Sequence, residues 1–216
     1  MFLLDDRSNL CNNILMSNKL PITKFSDTRQ QILHAAKGII LGKGFAAVGL
    51  NEILSTAGVP KGSFYHYFKS KEQFGEALLT DYFDDYLHML ERILKDDGSS
   101  NSSRLLKFFQ FWLDSQSSDD TTDKCLVVKL SAEVTDLSEA MRLTLKNGTD
   151  RIIACLTHCM EEGIRTGEFP AKLDAKAVTA EIYYMWIGAT LLTKVCHTRA
   201  ALECAMNATK EKLSLN

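Results

Sequence analysis

One stretch, Gly58-Val59-Pro60-Lys61-Gly62-Ser63-Phe64-Tyr65-His66-Tyr67-Phe68-Lys69-Ser70-Lys71-Glu72, constrains this chain more than any other. Gly58 suits the left-handed conformation that ends a helix, and Pro60 in a first helical turn loses no hydrogen bond. A tight turn between two helices is therefore predicted at Gly58-Val59, with the second helix starting at about Pro60. Its first turn carries Lys61, Gly62 and Ser63: a cation, a residue with no side chain to hold an anion away, and a small hydroxyl, all beside free backbone N–H groups. Tyr65 and His66 follow, suited to a base edge or a sugar, while Val59, Phe64 and Phe68 are spaced to face a core. Tyr67 and Lys71 fall where a second phosphate contact would be needed. The stretch reads as a short helix that seats against DNA.

Charge supports that reading once it is divided along the chain. The 216 residues carry a net charge of -2, which taken whole disfavours a polyanionic partner. From Lys24 to Gly75, however, seven cations (Lys24, Arg29, Lys37, Lys43, Lys61, Lys69, Lys71) stand against three acids (Asp27, Glu52, Glu72), a local balance of +4. Residues 1–23 balance at zero and residues 76–216 carry -6. A basic head on an acidic body binds phosphate at one end, because affinity for the backbone follows local cations. Hydrophobic residues at 45% suffice for one or two domains with a core. No run approaches the roughly 20 apolar residues that cross a bilayer. The start, Met1-Phe2-Leu3-Leu4-Asp5-Asp6, puts acids where an export signal has its apolar segment. The expectation is a cytoplasmic protein with no membrane partner, whose six cysteines (Cys11, Cys125, Cys155, Cys159, Cys196, Cys204) are thiols rather than a disulfide framework.

Along the chain, residues 1–25 show no helical period and are expected as a disordered extension, within which Met16-Ser17-Asn18-Lys19 would make an ordinary start of its own. A helix is predicted over Asp27–Leu41, burying Ile32, Ala35, Ala36 and Ile39 and closed by Gly42-Lys43-Gly44. A second is predicted over Leu50–Thr56. With the helix at 60–67 these form a three-helix unit, residues 26–72, around Phe45, Ile53, Val59, Phe64 and Phe68. Ser70 with Gln73 forms a capping box for a long fourth helix carrying Phe74, Ala77, Leu78 and Tyr82 and ending by Asp96-Asp97-Gly98. On this reading any message from the body reaches the head along that helix. Further helices are predicted over Leu105–Leu113, Lys124–Val134, Ser138–Arg165, Asp174–Val195 and Arg199–Leu213, with a polar, acidic loop at Asp114–Asp123. The prediction is all-α, about nine helices, with residues 73–216 a helical regulatory and dimerisation domain. The helix at 174–195 is apolar around most of its circumference, through Ala177, Ala180, Tyr184, Gly188 and Leu191 on one side and Ile182, Met185, Ala189 and Leu192 on another. Such a helix must be covered on both sides. A short reading helix also needs a two-fold partner to read a palindrome.

The order of residues from Thr28 to Phe74 resembles the DNA-binding domain of the TetR/AcrR family of bacterial repressors. The likeness runs through Ala35-Ala36, Gly44-Phe45, Glu52-Ile53, Ala57-Gly58-Val59, Lys61-Gly62-Ser63, Phe64-Tyr65, Tyr67-Phe68 and Ser70-Lys71-Glu72. Where the family usually caps the first helix of the motif with Ser or Thr, this chain has Val48-Gly49, leaving the cap to the weaker Gly49 with Glu52 three residues on. The resemblance implies a helix-turn-helix repressor, a homodimer through its last two helices, and a double-stranded palindromic operator as partner. DNA-binding residues are then expected at Lys61, Gly62, Ser63, Tyr65, His66, Tyr67 and Lys71.

Cys125 stands apart among the thiols because it opens a predicted helix, where the backbone dipole lowers a thiol pKa, with Lys124 and Lys129 close in sequence. Asp119, Asp120 and Asp123 precede it and would act in the opposite direction. Composition alone favours a buried, inert cysteine. The segment Cys125–Val134 with Asp136-Leu137-Ser138-Glu139 also resembles the NemR-like branch of the family, which responds to electrophiles and oxidants, over about Thr28 to Lys194. That resemblance implies a sensing role for Cys125 and a place for Lys194 on the helix lining the inducer pocket. Two alternatives stand beside it: a repressor that binds a small apolar inducer reversibly, with Phe108, Phe109, Phe111 and Trp112 as a pocket wall rather than plain core, and a cytosolic cysteine-dependent enzyme. The latter lacks a His close to Cys125 in sequence and any oxyanion, nucleotide or metal motif. Cys155, His158 and Cys159 share a helix face at metal-ligand spacing, but no fourth ligand pairs with them and core packing is the plainer reading. Neither a catalytic residue nor a cofactor or metal is expected.

Overall fold

The protein's core is built from regularly spaced apolar residues on successive helices. The structure, a computed structural model, describes residues 28–117 and 125–213. The extension at 1–25, Asp27, Lys124 and the acids at 119, 120 and 123 lie outside the described residues. Among the described residues there are nine α-helices and no strand, as the all-α expectation requires: α1 Thr28–Lys43, α2 Leu50–Ala57, α3 Lys61–Tyr67, α4 Lys71–Leu94, α5 Asn101–Ser117, α6 Leu126–Val134, α7 Glu139–Arg165, α8 Ala175–Cys196 and α9 Ala200–Leu213.

In the head, α1 buries Ile32, Leu33, Ala36, Ile40 and Leu41; of the four residues expected there Ile32 and Ala36 are buried, whereas Ala35 and Ile39 are only half-buried at the edge of the stripe. Phe45, Ile53, Phe64 and Phe68 are buried as anticipated, while Val59 is only half-buried at the rim. The phenyl rings of Phe64, Phe68 and Phe74 meet pairwise at centroid distances of 5.2 to 5.5 Å, tying α3 to the start of α4. Gly49 is the N-cap of α2 and makes no side-chain cap, and the Glu52 carboxylate pairs with Lys43. The preceding residue, Val48, is fully buried.

Helix α4 opens on Ser70, whose hydroxyl accepts the Gln73 N–H at 3.2 Å, while the Gln73 side chain reaches back to the Lys69 N–H at 2.7 Å. This helix packs most extensively against α7, and α8 packs against α7 and α9. Head and body meet where α4 passes the start of α7: a Cβ at Gly75 would stand 2.6 Å from Met141 and 2.7 Å from the Phe45 ring, so only glycine permits the approach.

Two expectations need correction. Helix α5 starts four residues before Leu105 and continues past Leu113 through the first residues of the expected acidic loop. Its early start has a local and a distant support: the Ser100 hydroxyl accepts the Ser103 N–H at 3.2 Å, and the Glu168 carboxylate, just after α7, accepts the N–H groups of Asn101 and Ser102, each at 2.7 Å. Together they satisfy three of the donors a helix N-terminus leaves open. Nor is α4 the sole connection between body and head. Helix α6 also touches the α1–α2 loop, through Lys129 to the Gly42 carbonyl and Glu133 to the amides of Phe45 and Ala46.

The aromatic run of α5 is core. Phe108, Phe109 and Trp112 are buried, Phe109 stacks on Trp186 at 5.1 Å, and the two indole N–H groups donate to Thr190 and Thr209 at 3.0 and 2.9 Å. Large rings with polar edges bury well only when those edges are paired, as here.

Candidate functional site

Helix α3 is presented by a short turn. Gly58 adopts φ 65°, ψ 30°, and the N–H groups of Gly58 and Val59 return to the carbonyls of Ser55 and Leu54, so α2 closes and the chain reverses within two residues. Pro60 is the N-cap and the helix begins at Lys61, one residue later than expected. Phe64 anchors the helix from within at 1% exposure. Opposite it, Lys61, Gly62, Tyr65 and His66 are exposed, with Tyr65 at 56%. Ser63 is half-buried. The helix therefore shows a cation, a bare backbone patch and two polar rings on one free face.

Tyr67 and Lys71 sit differently. Tyr67 is half-buried over a cavity of about 280 Å³ lined also by Arg29, Phe68, Gln73 and Thr80. The Lys71 ammonium donates to the Ala46 carbonyl at 3.3 Å and lies 4.9 Å from the Phe45 ring centre. Lys71 thus supports the α1–α2 loop. The exposed cation beside it, Lys69, was not singled out from sequence.

In the body, Cys125 is the N-cap of α6 and is half-buried. Its own N–H donates to the Gln116 side chain at 3.0 Å, which fixes the start of α6 against the end of α5. Burial raises the thiol above the ordinary cysteine value. Acting against this are the N–H groups of Val128 and Val127, the positive charge of Lys194 and, least, the Tyr82 hydroxyl. The helix N-terminus does favour the thiolate, as the sequence suggested, but desolvation outweighs it. Lys129 turns away to the Gly42 carbonyl, at 3.2 Å.

Three buried tyrosines feel the charge of this sulfur, and none was assigned a role from sequence. Burial raises the phenols of Tyr82, Tyr86 and Tyr183, and each is raised further by proximity to Cys125, so all three stay protonated donors. Tyr82 and Tyr86 lie one turn apart on α4, 5.9 Å between rings, and Tyr183 on α8 packs 5.5 Å from Trp112. The i,i+4 spacing of Tyr82 and Tyr86 was the available signal. Elsewhere, Cys159 is buried with its thiol facing the Asn101 carbonyl at 3.8 Å, and its pKa is pushed up to about 11, by burial first. Cys155 is half-buried, while Cys196 and Cys204 are exposed. Among the described residues, no three His, Cys, Asp or Glu side chains gather at metal-binding separation.

Helix α8 leaves one apolar stripe uncovered: Tyr184, Leu191, Leu192 and Val195 are 51 to 66% exposed, with Gly188 between them. No helix of the described residues is long and apolar enough to cross a membrane.

Known proteins resemble the chain over both parts. Residues 32–78 match the family described as bacterial regulatory proteins, tetR family, and residues 102–209 match the tetracyclin repressor-like C-terminal domain. The HTH-type transcriptional repressor NemR of Escherichia coli (strain K12) is 38% identical over 180 residues, which span 83% of this chain and 90% of that protein. The HTH-type transcriptional repressor DhaR of Mycobacterium sp. (strain GP1) is 27% identical over 185 residues, 86% of this chain and 91% of that protein. A crystal structure of the reduced form of E. coli NemR superposes with a TM-score of 0.81 at 38% identity, covering 86% of this chain and 96% of the other. With its reading helix, its helical body and these matches together, the chain belongs to the TetR family of bacterial regulatory proteins.

Proposed function

We propose that this protein is a homodimeric, cytoplasmic DNA-binding repressor that holds a palindromic operator through α3 and is released when Cys125 is modified by a small electrophile or oxidant. For DNA reading, the supporting observation is the free face of α3, where Lys61, Tyr65 and His66 project while Phe64 locks the helix from beneath. The units intended are residues 26–72 for DNA and 73–216 for sensing and dimerisation. The uncovered stripe of α8 supports a dimer through the last two helices, since apolar side chains at this exposure are expected to be buried by a second copy.

For sensing, the supporting observation is the convergence on one sulfur of two α6 amides, the Lys194 charge and the Tyr82 hydroxyl. These groups favour the thiolate, the species that attacks an electrophilic carbon or a hypochlorite chlorine. The site is half-buried, which selects small reagents. A modified sulfur no longer fits the same donors, and the body shifts to a conformation whose heads no longer match the operator; the affinity lost equals the difference between the two states.

A gel shift on the duplex upstream of the protein's own gene tests this. Cys125→Ser should bind as the wild type does and resist release by N-ethylmaleimide or hypochlorite. Normal release of that variant would end the sensing role, and release reversed by dialysis would favour a non-covalent apolar inducer. Lys61→Ala should weaken binding and reduce the salt slope by about 2, roughly 0.9 for each of the two copies of Lys61 in the dimer.

A further inference from the structure

Cys125, Lys129 and Glu133 recur every four residues and so lie along one side of α6, with the thiol at its N-terminal end. The far end of that row grips the DNA-binding head. The Glu133 carboxylate accepts the N–H of Phe45 at 3.0 Å and the N–H of Ala46 through its other oxygen. Lys129 donates to the Gly42 carbonyl at 3.2 Å, where α1 ends. Two successive amides around one carboxylate form a small anion-binding nest, in which hydrogen bonds are charge-assisted. Gly44 makes it possible: its φ is 91°, and a Cβ there would stand 2.9 Å from a Glu133 oxygen. On the other side of the same loop, Lys71 donates to the Ala46 carbonyl, at 3.3 Å. Ala46 is thus held by the body through its N–H and by the first residue of α4, next to the reading helix, through its carbonyl.

We propose that Glu133 and Lys129 form a latch through which α6 carries the state of Cys125 to the α1–α2 loop and so to the DNA-reading face. The proposal rests on the sensing role given to Cys125 above. Helix α6 has nine residues and behaves as a short rod. Cys125 packs against the hydrophobic core, and a close-packed interior cannot absorb the added atoms of an adduct without movement. Because the rod's other end is bonded to the loop, that movement strains or breaks the Glu133 nest. Glu133 and Lys129 are positioning residues: neither need contact DNA or the electrophile.

The readout is the ratio of operator dissociation constants after and before N-ethylmaleimide, with intact mass confirming equal modification and Cys125→Ser defining the part due to Cys125. In the wild type this ratio should be about tenfold or more, as expected of coupled sites. In Glu133→Ala it should fall towards one, whatever the variant does to binding by the unmodified protein. A lowered melting temperature alone would not change this ratio. A ratio in Glu133→Ala equal to that of the wild type overturns the latch. Should Glu133→Ala not fold, Glu133→Gln and Lys129→Met carry the same comparison. Amide hydrogen exchange gives a second readout: Phe45 and Ala46 should lose protection on modification of the wild type, and unchanged protection also overturns the latch. A wild type with no Cys125-dependent ratio overturns the sensing role itself, and the latch with it, before any variant is compared.

Discussion

At Cys125 two opposed effects act on a single sulfur. Burial raises the thiol pKa, while the Val128 and Val127 amides, Lys194 and Tyr82 pull it back without fully offsetting the cost. At neutral pH most of the thiol is therefore protonated, and alkylation should keep accelerating as pH rises beyond the usual cysteine range near 8.5. Removing a stabilising partner raises the pKa further. A smaller thiolate fraction reacts more slowly, so Lys194→Met, and to a lesser degree Tyr82→Phe, should slow N-ethylmaleimide addition at about pH 7.5. Timed intact-mass spectra measure this, and wild-type rates in both variants would show that neither group acts on the sulfur. Cys125 and its helix-start position were legible in the sequence, and Lys194 was reachable through resemblance. The tyrosines were not: Tyr82 reads as one more residue on an apolar face, and nothing local shows that its hydroxyl meets a sulfur 43 positions away.

Among the elements, α5 shows how a helix end can depend on a distant residue. Burial raises the Glu168 carboxyl, but the bonds from Ser102 and Asn101 outweigh it and hold the group below the usual carboxylate value. A depressed folded pKa contributes stability above the unfolded value, roughly 4.3, that is lost as pH falls through and below it. Glu168→Ala should cost about 1 kcal/mol, the scale of a lost N-cap, and should fray Asn101–Arg104. Thermal melts at pH 7 and pH 4 check both points: the deficit should shrink at the lower pH, where the wild type begins to lose the same cap. Helix ends whose caps lie within three residues, such as Ser70, Ser138 and Asp174, were placed from sequence to within a residue. The α5 start also has a local cap, the Ser100 hydroxyl on the Ser103 N–H at 3.2 Å, which the sequence reading passed over, and the Glu168 bonds to Asn101 and Ser102 come from 67 and 66 residues away.

For the whole molecule, the proposed dimer depends on the exposed stripe on α8. Tyr184, Leu191, Leu192 and Val195 fall on one side of a helix whose other side is already core. A lysine at the centre of that stripe would have to be desolvated by a second copy. Leu191→Lys should therefore yield monomers in sedimentation velocity and lower operator affinity at least about tenfold, because in the proposed assembly one copy of the seven-residue α3 contacts only half of the operator. A dimeric variant would place the interface elsewhere. The sequence showed that this helix is apolar all round, yet not which half serves the protomer's own core.

What the sequence determined by itself was everything set by near neighbours: the helical period, the Gly58 turn, the alternation of Phe64 inward and Tyr65 outward, and a basic head on an acidic body. These depend on contacts within a turn or two of helix, so spacing encodes them. Only the tertiary structure decided that Tyr82 acts on Cys125, that Glu168 reaches the start of α5, and that Glu133 and Lys129 tie α6 to the end of α1 and the loop after it. Each of those joins residues dozens of positions apart. Their meeting is fixed by how the helices pack, and packing depends on the shapes of all the buried side chains together.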